Sequence, residues 1–194
     1  MKWYHLDVRD MTKAQYDEYY AMADEDRRRK ADACRNEEDR LCSIAGDHLA
    51  RLAISEHCGV PMESIRFART GDGKPYAVGL DVHFNISHSG SLAACAVSDK
   101  PVGIDVQVMR LVRKALARKV CTRRELSYLK DAEGFGELLT GRALVRFYRV
   151  WCSKEAYFKW LGTGITDLKS FDTVDHIFSG GTFQIDEYMV SIYE

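Results

Sequence analysis

Residues 83–106 read HFNISHSGSLAACAVSDKPVGIDV, and this stretch decides the fold. It holds three short strand-like runs, His83–Ser87, Leu92–Val97 and Val102–Val106. The turn signals His88–Ser89–Gly90 and Asp99–Lys100–Pro101 separate them. Upstream, residues 36–57 form the clearest amphipathic helix. Leu41, Ile44, Ala45, Leu49, Leu52 and Ala53 recur there at helical spacing, and Gly59 and Pro61 end it. Residues 2–8 read as a first strand, 12–30 as a very polar helix, 65–68 as a short strand and Gly71–Pro75 as a turn. Downstream, Arg110–Arg124 reads as largely helical and 141–161 as a long helix. The tail, 171–194, reads as strands broken by Ser179–Gly180–Gly181. This order of elements predicts α+β architecture with two similar lobes. No repeat in the sequence itself supports the second lobe.

The 194 residues are 46% hydrophobic and 29% charged, which places the chain among ordinary globular proteins. A formal net charge of −1 excludes a generic polyanion binder, so an anion site must come from local clustering. The six cysteines form no C-x-x-C pair and no zinc-like spacing with histidine, which predicts reduced thiols in a cytoplasmic protein. The opening MKWYHLDVRD has no apolar signal core, and no apolar run is long enough for a bilayer span. The sequence therefore predicts no membrane partner.

Five features bear on chemistry. In WCSKEAYFK, Trp151–Lys159, Glu155 and Lys159 stand four apart and share one helix face. Alone, such a pair reads as a surface ion pair worth about 0.3–0.5 kcal/mol. Lys154, however, falls inside the neighbouring apolar stripe, so both ions border the buried side. In GIDVQ, Gly103–Gln107, strand alternation puts Asp105 and Gln107 on one face and Ile104 and Val106 on the other. Oxygen donors so placed suit Mg²⁺, and an ordinary half-buried strand is the plainer alternative. Asn85–Gly90 gathers hydroxyl, imidazole and amide groups that can meet a phosphate, and a plain β-turn would look the same. It lacks the G-x-S-x-G elbow of a serine hydrolase. GDGKP, Gly71–Pro75, resembles an anion-binding loop without being a Walker motif. Arg27–Lys30 and Arg110–Arg124 are basic runs, the second with seven cations and no acid. That asymmetry suits an acidic partner. The second run carries no aromatic residue for reading nucleic acid.

The order GKP, FNISHS, GID and WxxKEAxxK resembles the phosphopantetheinyl transferase family, of the surfactin-synthetase-activating (Sfp) type, from about Arg27 through Lys159. The resemblance implies two pseudo-related α/β lobes, each a helix packed on a small antiparallel sheet. The lobes would be residues 1–100 and 101–194, with coenzyme A and the active site at their interface. It implies transfer of 4′-phosphopantetheine from coenzyme A to a serine of an acyl or peptidyl carrier protein, with release of 3′,5′-ADP, by a monomer. Asp105, Glu155 and Gln107 match the Mg²⁺ ligand positions, Gln107 standing where many members carry an acid. Mg²⁺ should then lean on the pyrophosphate for its binding. Lys159 matches the lysine near the transferred phosphate, and His88 is a second group for charge on the phosphate oxygens. Glu155 is also a candidate proton acceptor, alongside a water on the metal or on Gln107. Gly73, Lys74 and Pro75 match the nucleotide loop, and Ser87, His88 and Ser89 the turn at the phosphates. Arg27 and Lys30 match positions at the nucleotide phosphate, and Ser43 a hydroxyl on the adenine side. The acidic carrier would dock on Arg110–Arg124. A coenzyme A binder without transfer activity and a nucleic-acid module are the rival readings.

Overall fold

A computed structural model describes residues 1–71, 73–164, 167–178 and 181–194. The amino-terminal half runs β1 (Lys2–Asp7), α1 (Lys13–Met22), α2 (Glu25–Asp32), α3 (Glu37–Cys58), β2 (Phe67–Arg69), β3 (Pro75–Ala77), β4 (His83–Ser89) and β5 (Leu92–Ser98). The carboxyl-terminal half runs β6 (Gly103–Val108), β7 (Val112–Arg113), α4 (Lys114–Val120), α5 (Arg123–Lys130), β8 (Leu138–Leu139), α6 (Gly141–Leu161), α7 (Val174–Phe178), β9 (Thr182–Ile185) and β10 (Tyr188–Tyr193).

Two antiparallel three-stranded sheets organise these elements, in the orders β1-β5-β4 and β6-β10-β9. Helix α3 packs on the first sheet and α6 on the second. The α+β class is therefore as the order of elements predicted, and the plan of one long helix per small sheet is as the family resemblance implied. Strand β5 shows why LAACAV has no polar alternation. Its residues Ala93, Cys95 and Val97 pack with Leu49, Ala53 and Ile54 of α3. Leu92, Ala94 and Ala96 point the other way, into a core shared with Ile104, Val106, Val190 and Ile192 of the second sheet. A strand buried on both faces needs apolar residues at every position.

Helix α6 lies directly on β6, and Gly103 permits the approach. A Cβ at this position would stand 2.2 Å from Ala156 O and 2.4 Å from Trp160 N, both immovable backbone atoms. The glycine of the GID motif thus brings the helix that carries Glu155 onto the strand that carries Asp105.

Four expectations are corrected. Residues 12–30 are two helices, because buried Ala23 and Asp24 are extended, and the Asp24 carboxylate faces the Arg51 guanidinium at 3.2 Å. Strand β4 continues through His88 and Ser89, so only Gly90 and Ser91 turn the chain, Gly90 with φ 55°. The Arg110–Arg124 stretch is interrupted. Val112–Arg113 pairs with β8, and Thr122 starts a new helix with a capping box to Glu125. In the tail, residues 174–178 are helical, started by Asp172 Oδ1 accepting from Val174 N at 3.1 Å. The break expected at 179–181 falls largely outside the described residues, and β9 and β10 are joined at Asp186–Glu187. No helix among the described residues is long and apolar enough to cross a membrane.

Candidate active site

The two sheets meet where β4 runs beside β6. No backbone ladder joins them. Instead, Asn85 Oδ1, Ser87 Oγ and Ser89 Oγ accept from Ile104 N, Val106 N and Val108 N at 3.0, 3.1 and 3.1 Å. Side-chain oxygens at every second residue satisfy edge N–H groups that would otherwise be orphaned.

Asp105 sits at this seam, 2% exposed. Its Oδ1 accepts from Lys159 Nζ at 2.7 Å and from Ser87 Oγ at 3.0 Å, and its Oδ2 from Gln107 Nε2 at 3.1 Å. The ion pair of Lys159 is therefore with Asp105 across the helix–strand interface, not with Glu155 along the helix. Glu155 is half-buried one turn earlier on α6. Burial, then the nearby Asp105 charge, pushes its carboxyl up to about 7, with Lys159 pulling the other way. Two carboxylates side by side, plus a side-chain amide, form a hard oxygen donor set. Among the described residues no group of three or more His, Cys, Asp or Glu could hold a metal. A divalent ion would fit here only by sharing oxygens from substrate and water.

Lys154 has a different fate from its neighbour. It is fully buried, its Nζ 3.0 Å from Glu125 Oε1 and 2.8 Å from Phe171 O. Glu125 also accepts from Thr122 N, Thr173 N and Thr173 Oγ1. This pair ties α5, α6 and the tail together away from the seam.

The serine–histidine motif splits by strand alternation. Ser87 and Ser89 face the seam, and His88 faces outward, exposed. Atoms crowding the His88 ring lower its pKa, Asp39 opposing and Lys159 and Arg27 assisting. Ser43 lies on α3 one turn from both Asp39 and Asp47, so it shares their face. Asp47 pairs with Arg27 Nε at 3.3 Å. Arg27 and Lys30, with Arg66, Arg69, Phe67 and Pro75, line a cavity of about 410 Å³. Cations beside an aromatic ring suit a nucleotide phosphate and base. Lys30 is held by Asp26 at 2.6 Å.

Of the Gly71–Pro75 loop, Pro75 lines this cavity and Lys74 lines a neighbouring one beside Trp160 and Gly162, while Asp72 lies outside the described residues. Gly73 O accepts from Arg69 Nη1 at 2.8 Å. Lys74 reaches α6, where its Nζ donates to Lys159 O at 3.2 Å, and burial lowers its pKa. The Gly71–Pro75 loop is thus tied to the end of the helix that carries Glu155 and Lys159.

A second, polar groove of about 380 Å³ includes Asp39, Ser89, Gln107, Arg110 and Tyr148. Tyr148 Oη accepts from Arg110 N at 3.0 Å and donates to Arg110 O at 3.1 Å, which anchors the basic stretch seven residues before Glu155 on α6. Arg110, Arg113, Arg118, Lys119 and Arg123 are exposed, and among the described residues none has an ion pair. Arg124 departs from the expectation, for Asp175 holds it at 2.7 Å. Leu111 and Leu116, 64% and 39% exposed, stand among the cations. The sequence reading passed over these leucines, the anchor at Tyr148 and the seam role of Asn85. A signal for the last was present, since Asn85, Ser87 and Ser89 are polar at strand period.

Residues 101–189 match the family model described as 4′-phosphopantetheinyl transferase superfamily. Residues 10–100 match the model 4′-phosphopantetheinyl transferase, N-terminal. Among curated relatives, a 4′-phosphopantetheinyl transferase of Bacillus subtilis is 31% identical over 159 residues, covering 81% of this chain and 68% of the relative. The 4′-phosphopantetheinyl transferase Sfp of Bacillus subtilis strain 168 is 30% identical over 172 residues, covering 87% and 73%. The 4′-phosphopantetheinyl transferase psf-1 of Bacillus pumilus is 36% identical over 137 residues, covering 69% and 55%.

Proposed function

The chain belongs to the 4′-phosphopantetheinyl transferase superfamily, and from that premise we propose that the Asp105–Lys159–Glu155 cluster at the junction of residues 1–100 and 101–194 carries the transfer. The enzyme moves the 4′-phosphopantetheinyl group of coenzyme A to a carrier protein, converting apo carrier to holo. One observation carries the site assignment. Lys159 and Asp105 meet at 2.7 Å beside Glu155, where the two sheets join.

The serine hydroxyl of the carrier attacks the β-phosphorus of coenzyme A. The new P–O bond forms as the bond to 3′,5′-ADP breaks, and the serine proton passes to Glu155 directly or through a water on Gln107. In the metal-free site this carboxyl is pushed up to about 7, which suits a proton acceptor. As a Mg²⁺ ligand it would be a weaker base, with the water the better route for the proton. Lys159 and His88 donate to the phosphate oxygens as charge shifts between them. Arg27 and Lys30 hold the nucleotide phosphate, Ser43 lies on the adenine side, and Gly73, Lys74 and Pro75 wall the nucleotide. Asp105 and Glu155, with the Gln107 amide oxygen, would hold Mg²⁺, which when bound offsets pyrophosphate charge. Alignment and charge neutralisation are most of what phosphoryl transfer asks of a protein. Both lobes come from one chain, so a monomer suffices. The six free thiols fit a reducing, cytoplasmic setting.

The decisive experiment incubates the protein with Mg²⁺, coenzyme A and an apo carrier, then weighs the carrier by mass spectrometry. A phosphopantetheine increment is expected. No increment on several carriers, with coenzyme A still bound, would favour a binding protein without transfer.

The carrier docks on the exposed part of the basic stretch, with Leu111 and Leu116 as apolar contacts among the cations. Carriers of this kind present acidic helices, and exposed charges act mainly on encounter. Reversing Arg113, Arg118 and Arg123 to Glu is expected to raise KM for carrier about tenfold at low salt. The effect should shrink as salt rises, and coenzyme A affinity should be unchanged. A normal carrier KM in that variant would remove the docking assignment.

A further inference from the structure

The seam between β4 and β6 contains one member unlike the others. Asn85 and Ser89 each hold a backbone N–H of β6. Ser87 holds the N–H of Val106 at 3.1 Å, and its Oγ also accepts from Lys159 Nζ at 2.8 Å and donates to Asp105 Oδ1 at 3.0 Å. Lys159 Nζ and Asp105 Oδ1 are themselves 2.7 Å apart. Three atoms from three elements, β4, β6 and α6, therefore close a triangle. A hydroxyl has one donor and two acceptor sites, and all three are occupied here. Ser87 is 5% exposed, so it is packed where it cannot swing away.

We infer that Ser87 is a positioning residue, whose hydroxyl fixes the Lys159 ammonium against the Asp105 carboxylate and ties both to the lobe junction. The inference rests on the transferase reading for its catalytic consequence, and it differs from a direct phosphate contact by Ser87. A lysine ammonium at the end of four methylenes has many rotamers, and an ion pair alone does not select one. The second acceptor, held rigidly by the N–H of Val106, narrows that choice. The cavity assigned above to the nucleotide is lined by Arg27, Lys30, Arg66 and Arg69 together with Asp24, Asp26 and Asp47 and does not include Ser87, so the two functions can be pulled apart.

The test compares Ser87→Ala with Asn85→Ala, a seam variant that loses a backbone contact only. Ser87→Ala is expected to lower kcat about 100-fold, as for a catalytic group misplaced by an ångström, with coenzyme A Kd in a calorimetric titration held within about threefold. Asn85→Ala is expected to keep kcat within about threefold at temperatures where it is folded. Should Ser87→Ala unfold, Ser87→Cys fills the space with a weak hydrogen-bonding group and is expected to show the same kcat loss. A coenzyme A Kd weakened tenfold or more (about 1.4 kcal/mol), with kcat retained at saturation, would make Ser87 a substrate contact and overturn the inference. Equal kcat losses in the Ser87 and Asn85 variants would reduce the seam to a structural joint and overturn it too. If the wild type transfers nothing, the transferase reading fails while a crystal structure of the Ser87 variant still decides this point. Lys159 Nζ displaced from Asp105 supports the inference, and the contact unchanged defeats it.

Discussion

Glu155→Gln is expected to lower kcat for phosphopantetheinyl transfer by about 10³-fold and, at the same time, to stabilise the metal-free protein above pH 7. The two effects share a cause. Burial and the Asp105 charge push the Glu155 carboxyl up to about 7, so the fold resists its ionisation. In the unfolded chain the group ionises near its ordinary value of 4.5. Stability from the protonated form is therefore complete below that value and is lost as pH rises through 7. Glutamine has no proton to lose. The variant should gain on the order of 2 kcal/mol over the wild type by pH 8, after discounting for the partial exposure of the site. Tm measured without metal at pH 5 and pH 8 checks this. The wild type should lose more Tm across that interval than the variant. Parallel melting curves would show that Glu155 is not strained by its surroundings. Functional sites commonly hold such a cost to folding, because a ligand relieves it.

Lys154→Met is expected to destabilise the fold by about 3–5 kcal/mol, although it lies beside Glu155 in sequence. Methionine fits the apolar stripe, but it leaves Glu125 without its counter-ion, at 0% exposure. Three remaining hydrogen bonds, from Thr122 and Thr173, do not balance a buried charge. The double variant Lys154→Met, Glu125→Gln should recover much of the loss, since the pair removed together leaves no net charge. Urea unfolding of the two single variants and the double completes the cycle. Additive losses would mean that the two groups do not act as a pair.

These neighbours show how far reading the chain could go. Period alone predicted that α6 runs over 141–161 with Glu155 and Lys159 on one face, because helix geometry depends only on local spacing. It also predicted that Asp105 and Gln107 share a face of β6. What period could not provide was the partner of each ion. Lys154 turned to Glu125, Lys159 to Asp105, and Glu155 was left to face Asp105 across the interface. The His88–Ser89–Gly90 turn was misplaced for a related reason. Ser89 looks like a turn residue, and only the waiting N–H of Val108 makes it worth keeping in the strand.

The sequence by itself determined the α+β order, the two long helices, the buried strand at 92–97 and the family, because each is written in spacing or in ordered short motifs. The tertiary structure alone decided how HFNISHSG is used. Alternate side chains of that stretch take up the edge of β6 and hold Lys159 on Asp105, while His88 is turned outward. Hydrogen bonds between residues eighteen or more positions apart depend on where two lobes come to rest, and no local pattern encodes that distance.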